Sequence, residues 1–317
     1  MSQRHPPLLA LRAFEAAARH MSFTLAGSEL FLTQGAVSRQ IRTLENFLGR
    51  KLFDRYTRRI ELTAAGREYY RAVQQALGDI EAATRRVMQN QEHRVITVSI
   101  LPTLGSGWLM PRLGAFTETY PHIDVRLISS IEPVNFQAGD VDVAIRVGLL
   151  PGAKARPGQP RIDLEMVTGW KGVTAQYLFP DILVPLISRK LLEQGKEIKA
   201  VGDLLNYRLI HTASRKHAWP DWLAAHGVRL KPRMESLHYG HFFMGLRAAQ
   251  NCKGVAIVPE VLLDSFSGPD LVRAFPPDIE SAGSYYLLTQ EASAKDRAIQ
   301  VFCNWLQAEV ANTDAAA

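Results

Sequence analysis

Cysteine and long hydrophobic runs are both scarce in this sequence. Its two cysteines, Cys252 and Cys303, are too few for a disulfide framework or for a cysteine-based zinc site. No stretch approaches the roughly 20 consecutive apolar residues that cross a membrane, and the first residues do not follow the pattern of a signal peptide. We therefore predict a cytoplasmic protein without a membrane partner, in which both cysteines are packing residues.

Catalytic signatures are missing as well. The chain contains no G-x-S-x-G, no G-x-x-x-x-G-K-[ST], no H-E-x-x-H and no G-x-G-x-x-G after a strand. The nine histidines show no zinc-ligand spacing, and the string HTASRKH at 211–217 combines His and Ser without an acid. We predict neither an enzyme nor a cofactor or metal site. A solute-binding protein of transport is one alternative, and the missing export signal disfavours it.

Positive charge is concentrated at the start of the chain. Residues 1–60 hold ten Lys and Arg against four Asp and Glu, a net charge of +6, whereas residues 61–317 hold 27 of each sign. This asymmetry suits a polyanion-binding module joined to an electrically neutral domain. A solvated basic surface would give the same count.

The spacing of apolar residues predicts three short helices in this basic segment. The third is predicted over 34–49, with Thr33 as its N-cap and Gly49 as its end. One of its faces is apolar, and the opposite face carries small, hydroxyl and arginine side chains, which a helix entering a DNA major groove requires. An ordinary amphipathic helix with a polar outer face is the alternative. Two β-prone pieces, 52–55 and 60–62, predict a small wing with arginines at its tip.

A long helix is predicted next, over about 64–91. Residues that step by three and four along it form a heptad seam for just over two heptads. This pattern predicts a linker helix that dimerises, and packing on its own domain is the alternative. The seam consists of Tyr70, Val73, Leu77, Ile80, Thr84 and Val87.

From residue 95 onward, apolar strands alternate with helices, which is typical of a mostly parallel α/β sheet. The strands are predicted over 95–101, 123–129, 141–147, 182–188, 207–212, 254–259 and 285–290. The helices are predicted over 108–120, 219–227, 241–251 and 296–311.

The N-terminal residues closely resemble a known family. The run from Leu8 to Tyr70, which includes TQGAVSRQIRTLE and ELTAAG, resembles the N-terminal domain of LysR-type transcriptional regulators. The second half is similar to the same family at VSILPTLGSGWLMPRL, VDVAIRVG, WPDWLAAHGV and CKGVAIVP. Within the family, the chain looks most like the subgroup of the glycine-cleavage activator and the β-lactamase regulator.

The resemblance implies an α+β multidomain fold with a winged helix-turn-helix, a long linker helix and a two-lobed α/β effector domain like periplasmic binding proteins. The domains are expected at 1–63, 64–92 and 93–312, with one lobe at about 93–178 and 268–312 and the other at about 179–267. The expected partners are double-stranded promoter DNA, further copies of the chain (a dimer through the linker helix and then a homotetramer) and a small, anionic or amino-acid-like effector. RNA polymerase stays open as a further partner.

The resemblance also assigns the DNA-contacting residues. They would be the polar residues of the third helix, the wing arginines and two hydroxyl residues near the start of the second helix, which would meet phosphate. These are Gln34, Gly35, Ser38, Arg39 and Arg42, then Arg58 and Arg59, then Ser22 and Thr24.

The effector is expected beyond the carboxyl ends of the strands, where two-lobed α/β folds bind ligands. This rule selects Pro102, Thr103, Ser129, Ser130, Arg146, His211, Thr212, Phe242 and Phe243. For Arg146 a structural salt bridge is the alternative to an effector carboxylate, and for His211 the alternative is a structural role. Residues 149–173 look like an insertion relative to the family, which would cover the cleft, contact a neighbouring subunit, or do neither.

Overall fold

The computed structural model describes residues 5–56, 59–88, 93–230, 234–263, 268, 270–276 and 278–316. The chain forms two compact units, one of residues 1–89 with 137–140 and one of residues 90–136 with 141–317. Among the described helices, none has both the length and the hydropathy that a membrane span requires.

Three helices form the body of the N-terminal unit: α1 (Leu8–His20), α2 (Phe23–Leu30) and α3 (Gln34–Leu48). The Leu25 N–H donates to Ser22 Oγ at 3.3 Å, and the Ala36 N–H donates to Thr33 Oγ1 at 3.2 Å. Each hydroxyl thereby satisfies a backbone amide that the first helical turn leaves without a partner. Gly49 ends α3 with a φ of 65°, as the sequence predicts.

The wing and the long helix complete this unit. Strands β1 (Phe53–Arg55) and β2 (Ile60–Leu62) pair antiparallel, and α4 (Ala64–Met88) follows. Val73 of α4 is buried in the N-terminal core, and Tyr70 and Leu77 pack against that core. The first half of the predicted seam therefore packs on its own unit.

The second half of the seam behaves differently. Ile80 is 53% exposed and Thr84 is exposed, while the Val87 side chain lies outside the described residues. The dimerising role of α4 stays a prediction, and only the latter part of the seam is exposed for it.

The second unit is built on one nine-stranded sheet of order β4-β3-β5-β11-β6-β9-β7-β8, with β10 also paired to β6. The strands are β3 (Arg94–Ile100), β4 (Ile123–Ser129), β5 (Val143–Gly148), β6 (Val173–Ser188), β7 (Leu209–Thr212), β8 (Ser236–Tyr239), β9 (Val255–Pro259), β10 (Leu271–Arg273) and β11 (Glu280–Gln290).

Helices cover this sheet. A continuous helical segment follows β3 and consists of α5 (Pro102–Leu104), a π-helical turn (Gly105–Leu109) and α6 (Met110–Thr119). It therefore begins six residues before the predicted start. The others are α7 (Arg189–Gln194), α8 (Ala218–Ala225), α9 (Phe242–Gln250) and α10 (Arg297–Ala316).

The expectation of a mostly parallel sheet is wrong. Strand β3 is parallel to β4 and β5, and β7 is parallel to β8 and β9. Strands β6 and β11 are antiparallel to each other and to their outer neighbours. The two parallel groups are the centres of two lobes, and β6 and β11 run from one lobe into the other.

Candidate functional site

The outer face of α3 carries the predicted DNA-reading residues. Val37, Ile41 and Leu44 of this helix are fully buried, which fixes the opposite face toward solvent. On that face Gln34, Gly35, Arg39 and Arg42 are exposed, and Ser38 is partly buried. A Cβ atom placed on Gly35 would meet nothing within 4 Å. The protein itself therefore does not require glycine there, whereas a closely approaching DNA edge would.

Arg55 of β1, which sequence reasoning did not select, lies against this helix. Its Nη1 donates to Ser38 Oγ at 3.0 Å, its Nη2 is 3.6 Å from Glu45 Oε2, and its guanidinium lies 5.2 Å from the centre of the Phe23 ring. Strand alternation is the signal that could have found it, because residue i+2 from the buried Phe53 shares its face.

The remaining predicted DNA contacts belong to the wing and to the start of α2. Arg59 is exposed, forms an ion pair with Glu61 at 3.0 Å and stacks on Tyr56 at 5.0 Å. Arg58 lies outside the described residues. Ser22 caps α2 and Thr24 is exposed in its first turn, so both hydroxyls are at the helix end that attracts phosphate.

The second unit encloses a cavity where the carboxyl ends of strands from both lobes meet. Its volume is about 30 Å³, room for one or two water molecules. The wall contains three of the predicted effector residues, Pro102, Thr103 and Phe242. Thr103 Oγ1 accepts a hydrogen bond from the Phe243 N–H at 3.4 Å, which links the two lobes beside the cavity. The other wall residues are Leu101, Leu104, Ile131, Val147, Leu164, Ser214, Arg215, His241, Leu262 and Tyr285.

Arg146 lies outside this wall, on the opposite face of β5 from its neighbour Val147. It is fully buried, and it donates to the carbonyl oxygens of Ser99 at 3.1 Å and Glu132 at 3.3 Å and to Ser99 Oγ at 2.7 Å. Burial lowers the pKa of this guanidinium to about 10. Its described acceptors are backbone carbonyls and a hydroxyl, so Arg146 ties strands and a loop together.

The other predicted effector residues also lie outside the wall. The His211 ring stacks on His238 with 4.8 Å between centres, and burial, then the neighbouring His238, lowers the pKa of His211. Ser130 Oγ accepts from the Glu132 N–H at 3.0 Å. Strand alternation and local turns direct these side chains away from the cavity. The position of a strand end alone does not predict the direction of a side chain. The residues outside the wall are Ser129, Ser130, Arg146, His211, Thr212 and Phe243.

Arg215 is the charged residue that sequence reasoning missed. Its side chain is 1% exposed, and its Nη2 donates to Asp181 Oδ2 at 2.7 Å and to Ser281 Oγ at 3.1 Å. Burial alone would lower the pKa of Arg215, but the fully buried Asp181 carboxylate outweighs it and the net shift is upward. Among the described residues, Nε and Nη1 of Arg215 have no hydrogen-bond partner. Asp181 and Ser281 belong to β6 and β11, so this pair lies where the lobes join.

The segment of residues 149–172, between β5 and β6, reaches the second lobe. Arg161 forms a two-pronged ion pair with Asp221 of α8, at 2.8 Å from Nε to Oδ2 and 2.9 Å from Nη2 to Oδ1. Asp163 lies 3.4 Å from His217 Nε2, and Leu164 forms part of the cavity wall. Of the alternatives given for residues 149–173, these contacts favour the one in which they cover the cleft.

Two family models match the chain. The model described as the bacterial regulatory helix-turn-helix protein of the lysR family matches residues 8–67. The model described as the LysR substrate binding domain matches residues 89–311. The first match contains α3 and the wing, and the second contains both lobes and the cavity.

Known relatives are similar over almost the full length. The chain is 36% identical over 312 residues to the glycine cleavage system transcriptional activator of Escherichia coli K12, covering 98% of this chain and 96% of that protein. It is 34% identical over 306 residues to the HTH-type transcriptional activator AmpR of Providencia stuartii, with 96% of each chain covered. Both names describe transcriptional activators.

Solved structures agree on the fold. The effector domain of AmpR from Pseudomonas aeruginosa is similar with a TM-score of 0.55 and 27% identity, over 70% of this chain and 98% of that one. Full-length AphB, a virulence activator of Vibrio cholerae, is similar with a TM-score of 0.51 over 95% of this chain and 98% of that one. At 17% identity, the second likeness concerns the fold alone.

Proposed function

This chain belongs to the LysR family of bacterial transcriptional regulators, and we propose that a small carboxylate-bearing metabolite controls its binding to promoter DNA. The family consists of DNA-binding regulators and not of enzymes. Its members bind DNA, assemble into oligomers and respond to small-molecule effectors. The finer claim is that the effector of this chain is anionic or amino-acid-like.

The observation that carries this claim is that two nitrogens of Arg215, Nε and Nη1, lack a described hydrogen-bond partner. Arg215 is on the cavity wall, and a buried donor left without an acceptor costs about 1–3 kcal/mol, more when it is charged. An oxygen of a ligand carboxylate would supply an acceptor to Nε or Nη1 of this guanidinium. The glycine cleavage system in the name of the Escherichia coli relative supports an amino-acid-like effector.

The cavity volume implies that binding is coupled to movement. The cavity of about 30 Å³ holds one or two water molecules, and in our proposal the lobes separate to admit the effector. The Arg161–Asp221 ion pair and the Thr103–Phe243 hydrogen bond oppose that separation. A ligand shifts such an equilibrium only by binding one lobe arrangement more tightly than the other. In our proposal the shift alters the spacing of recognition helices in the oligomer and therefore the bend of the DNA.

For DNA, we propose contacts from Gln34, Gly35, Ser38, Arg39 and Arg42 of α3, from Arg58 and Arg59 of the wing, and from Ser22 and Thr24. The exposed face of α3 opposite the buried Val37 and Ile41 supports the five α3 contacts. The exposed Ile80 of α4 supports dimerisation through that helix, and a tetramer follows by the family pattern.

A matched-ligand screen tests the effector claim. Amino acids and small organic acids are compared with their primary amides for the increase in melting temperature of the full-length protein, since a true ligand raises it with concentration. We expect stabilisation by one or more carboxylates and none by the matching amide. Equal stabilisation by acid and amide would refute the role given to Arg215.

A DNA-binding assay tests the proposed DNA contacts of α3. A duplex is selected from a randomised library with the full-length protein, and Arg39→Ala is compared with Arg126→Ala, which removes an exposed positive charge from the second unit. We expect Arg39→Ala to weaken the selected duplex far more than random duplex, and Arg126→Ala to leave both nearly unchanged. Failure to select any sequence would overturn the proposed DNA-reading surface.

A further inference from the structure

We infer that Arg55 is a positioning residue that fixes the hydrogen-bonding role of Ser38, so that the Ser38 hydroxyl donates to an acceptor atom on a base edge. The inference rests on the proposed function in one respect, namely that the outer face of α3 enters the major groove. It goes further by naming the chemical group that Ser38 contacts on the base edge, and by naming Arg55 as the residue outside α3 that determines this contact.

The buried side chain of Glu45 holds the start of β1 against α3. This side chain is 1% exposed, and its Oε1 accepts hydrogen bonds from the backbone N–H groups of Leu52 at 2.9 Å and Phe53 at 3.3 Å. The carboxylate therefore joins α3 to the start of β1. Because hydrogen bonds to charged groups in buried surroundings are strong, the position of β1 relative to α3 is well defined.

Arg55 extends from that strand back to α3. Its guanidinium is held on three sides, by Glu45 Oε2 at 3.6 Å, by the Phe23 ring at 5.2 Å and by Ser38 Oγ at 3.0 Å. The planar group has little freedom to turn away from Ser38. The side chain remains 30% exposed, so the contact lies at the edge of the DNA-facing surface.

The direction of the Arg55–Ser38 hydrogen bond follows from the chemistry of the two groups. A guanidinium only donates, so Ser38 Oγ must accept. Many helical hydroxyls donate to the carbonyl four residues earlier, as Thr43 does to Arg39 O at 3.0 Å and Ser28 to Thr24 O at 3.3 Å. Among the described contacts, Ser38 donates no hydrogen bond of this kind. Its hydrogen is therefore left for a group outside the protein.

The hydrogen bond from Arg55 also changes how strongly the Ser38 hydroxyl donates a hydrogen bond. A charge-assisted hydrogen bond to the oxygen polarises the O–H group, which makes it a better donor and a poorer further acceptor. In the major groove the acceptors are purine N7, guanine O6 and thymine O4, whereas cytosine and adenine present amino donors. Arg55 thereby restricts Ser38 to positions that present an acceptor.

The first test is a double-mutant cycle on the full-length protein with the duplex selected from a randomised library. Ser38→Ala and Arg55→Gln are each expected to weaken the selected duplex by roughly tenfold, which is within the range of a base-edge contact. The double variant should be no weaker than Ser38→Ala, because Arg55 acts through Ser38. Affinity for random duplex should change less than about twofold for all three, since no phosphate contact is lost.

A second test identifies the acceptor on wild-type protein. Each base of the selected duplex is replaced in turn by an analogue that lacks one acceptor: a 7-deazapurine for N7, 2-aminopurine for guanine O6, and 5-methyl-2-pyrimidinone for thymine O4. We expect one position in each half of the binding site where the analogue lowers the affinity of the wild-type protein for the duplex. The same analogue should not lower the affinity of Ser38→Ala or Arg55→Gln. The result remains interpretable even if a substitution lowers the stability of the protein. For each variant, the affinity for the analogue duplex is compared with the affinity of that same variant for the normal duplex.

The outcomes separate the competing explanations. If Arg55→Gln weakens selected and random duplex equally and reduces the salt slope by about one, Arg55 is a phosphate contact and the inference is wrong. Additive losses in the double variant, or an analogue effect that persists in Ser38→Ala, would also overturn it. Arg55→Lys, which keeps the charge without the planar fork, should lose specificity as Arg55→Gln does. If no sequence is selected at all, the proposed function itself fails, and this is evident before any variant is made.

Discussion

The two units each contain an acid–arginine pair, and the pairs are built differently. In the N-terminal unit, Glu45 is satisfied by two backbone amides, and Arg55 is partly exposed with Ser38 as its acceptor. In the second unit, Arg215 and Asp181 are both fully buried, and two nitrogens of Arg215, Nε and Nη1, have no described hydrogen-bond partner. The Glu45–Arg55 pair, whose carboxylate has its acceptor sites occupied, orients the neighbouring Ser38. A buried pair with donors to spare is suited to a ligand.

Separating the buried pair gives the largest expected effect. Arg215→Met leaves Asp181 as a buried charge, so we expect the free energy of unfolding of the second unit to fall by roughly 3–5 kcal/mol. Urea unfolding followed by tryptophan fluorescence measures this selectively, because all five tryptophans lie after residue 100. The Arg215→Met/Asp181→Leu double variant should recover most of the loss. A loss below about 1 kcal/mol for the single variant would put this pair among ordinary surface salt bridges.

Removing the acid of the other pair comes next. Glu45→Ala leaves the buried amides of Leu52 and Phe53 without an acceptor, so we expect the N-terminal unit to lose about 1–3 kcal/mol. Hydrogen exchange at those two amides should accelerate while tryptophan-detected unfolding stays unchanged. Glu45→Gln keeps an oxygen acceptor and serves as the control with a smaller loss. Equal exchange in both variants would contradict the role given to the carboxylate.

Gly35→Ala sharpens the contrast between stability and binding. Since a Cβ there meets nothing within 4 Å and alanine favours a helix over glycine, we expect stability to stay level or rise by up to about 1 kcal/mol. Affinity for the selected duplex should fall, because the added methyl group stands between α3 and the groove. Melting temperature and duplex affinity are measured on the same sample. Unchanged affinity would mean that α3 does not approach DNA closely at Gly35.

The smallest expected effect concerns the exposed Arg161–Asp221 pair. Arg161 lowers the pKa of Asp221, so the pair stabilises the folded state above the ordinary carboxyl range, and this contribution is lost as pH falls through the lowered pKa. Arg161→Ala should speed hydrogen exchange of the Ala282 amide, which donates to Pro160 O at 2.8 Å. The acceleration should be constant through neutral pH and vanish in acid. Lys154→Ala, in the same segment, is the control.

Features set by a few neighbouring residues could be predicted well. The N-cap at Thr33, the end of α3 at Gly49 and the buried face of that helix follow from groups within a few residues of one another. Strand β4 was predicted at its observed bounds, because it is a compact run of alternating apolar residues. The exposed polar face of α3 followed directly from its buried face.

Long-range pairing could not be predicted in the same way. The first half of β6 alternates polar and apolar residues and contains Pro180, so the sequence predicts a strand only from residue 182, yet this half pairs with β11. The short β8 is largely exposed at the sheet edge and carries little apolar signal. The rule that ligands bind beyond strand ends selected Arg146 and His211, which lie outside the cavity wall, and did not select Val147 and Arg215, which belong to it.

Periodicity and charge within short windows were enough for the basic N-terminal segment and the polar face of α3, and the resemblance of residues 8–70 indicated the family. The composition of the cavity wall depended on folding, because Arg215, Asp181 and Ser281 are 34 and 66 residues apart along the chain and meet only where β6 and β11 cross between lobes. The Arg55–Ser38 contact has the same origin. Hydrogen bonds between distant segments follow from backbone geometry that no local pattern encodes.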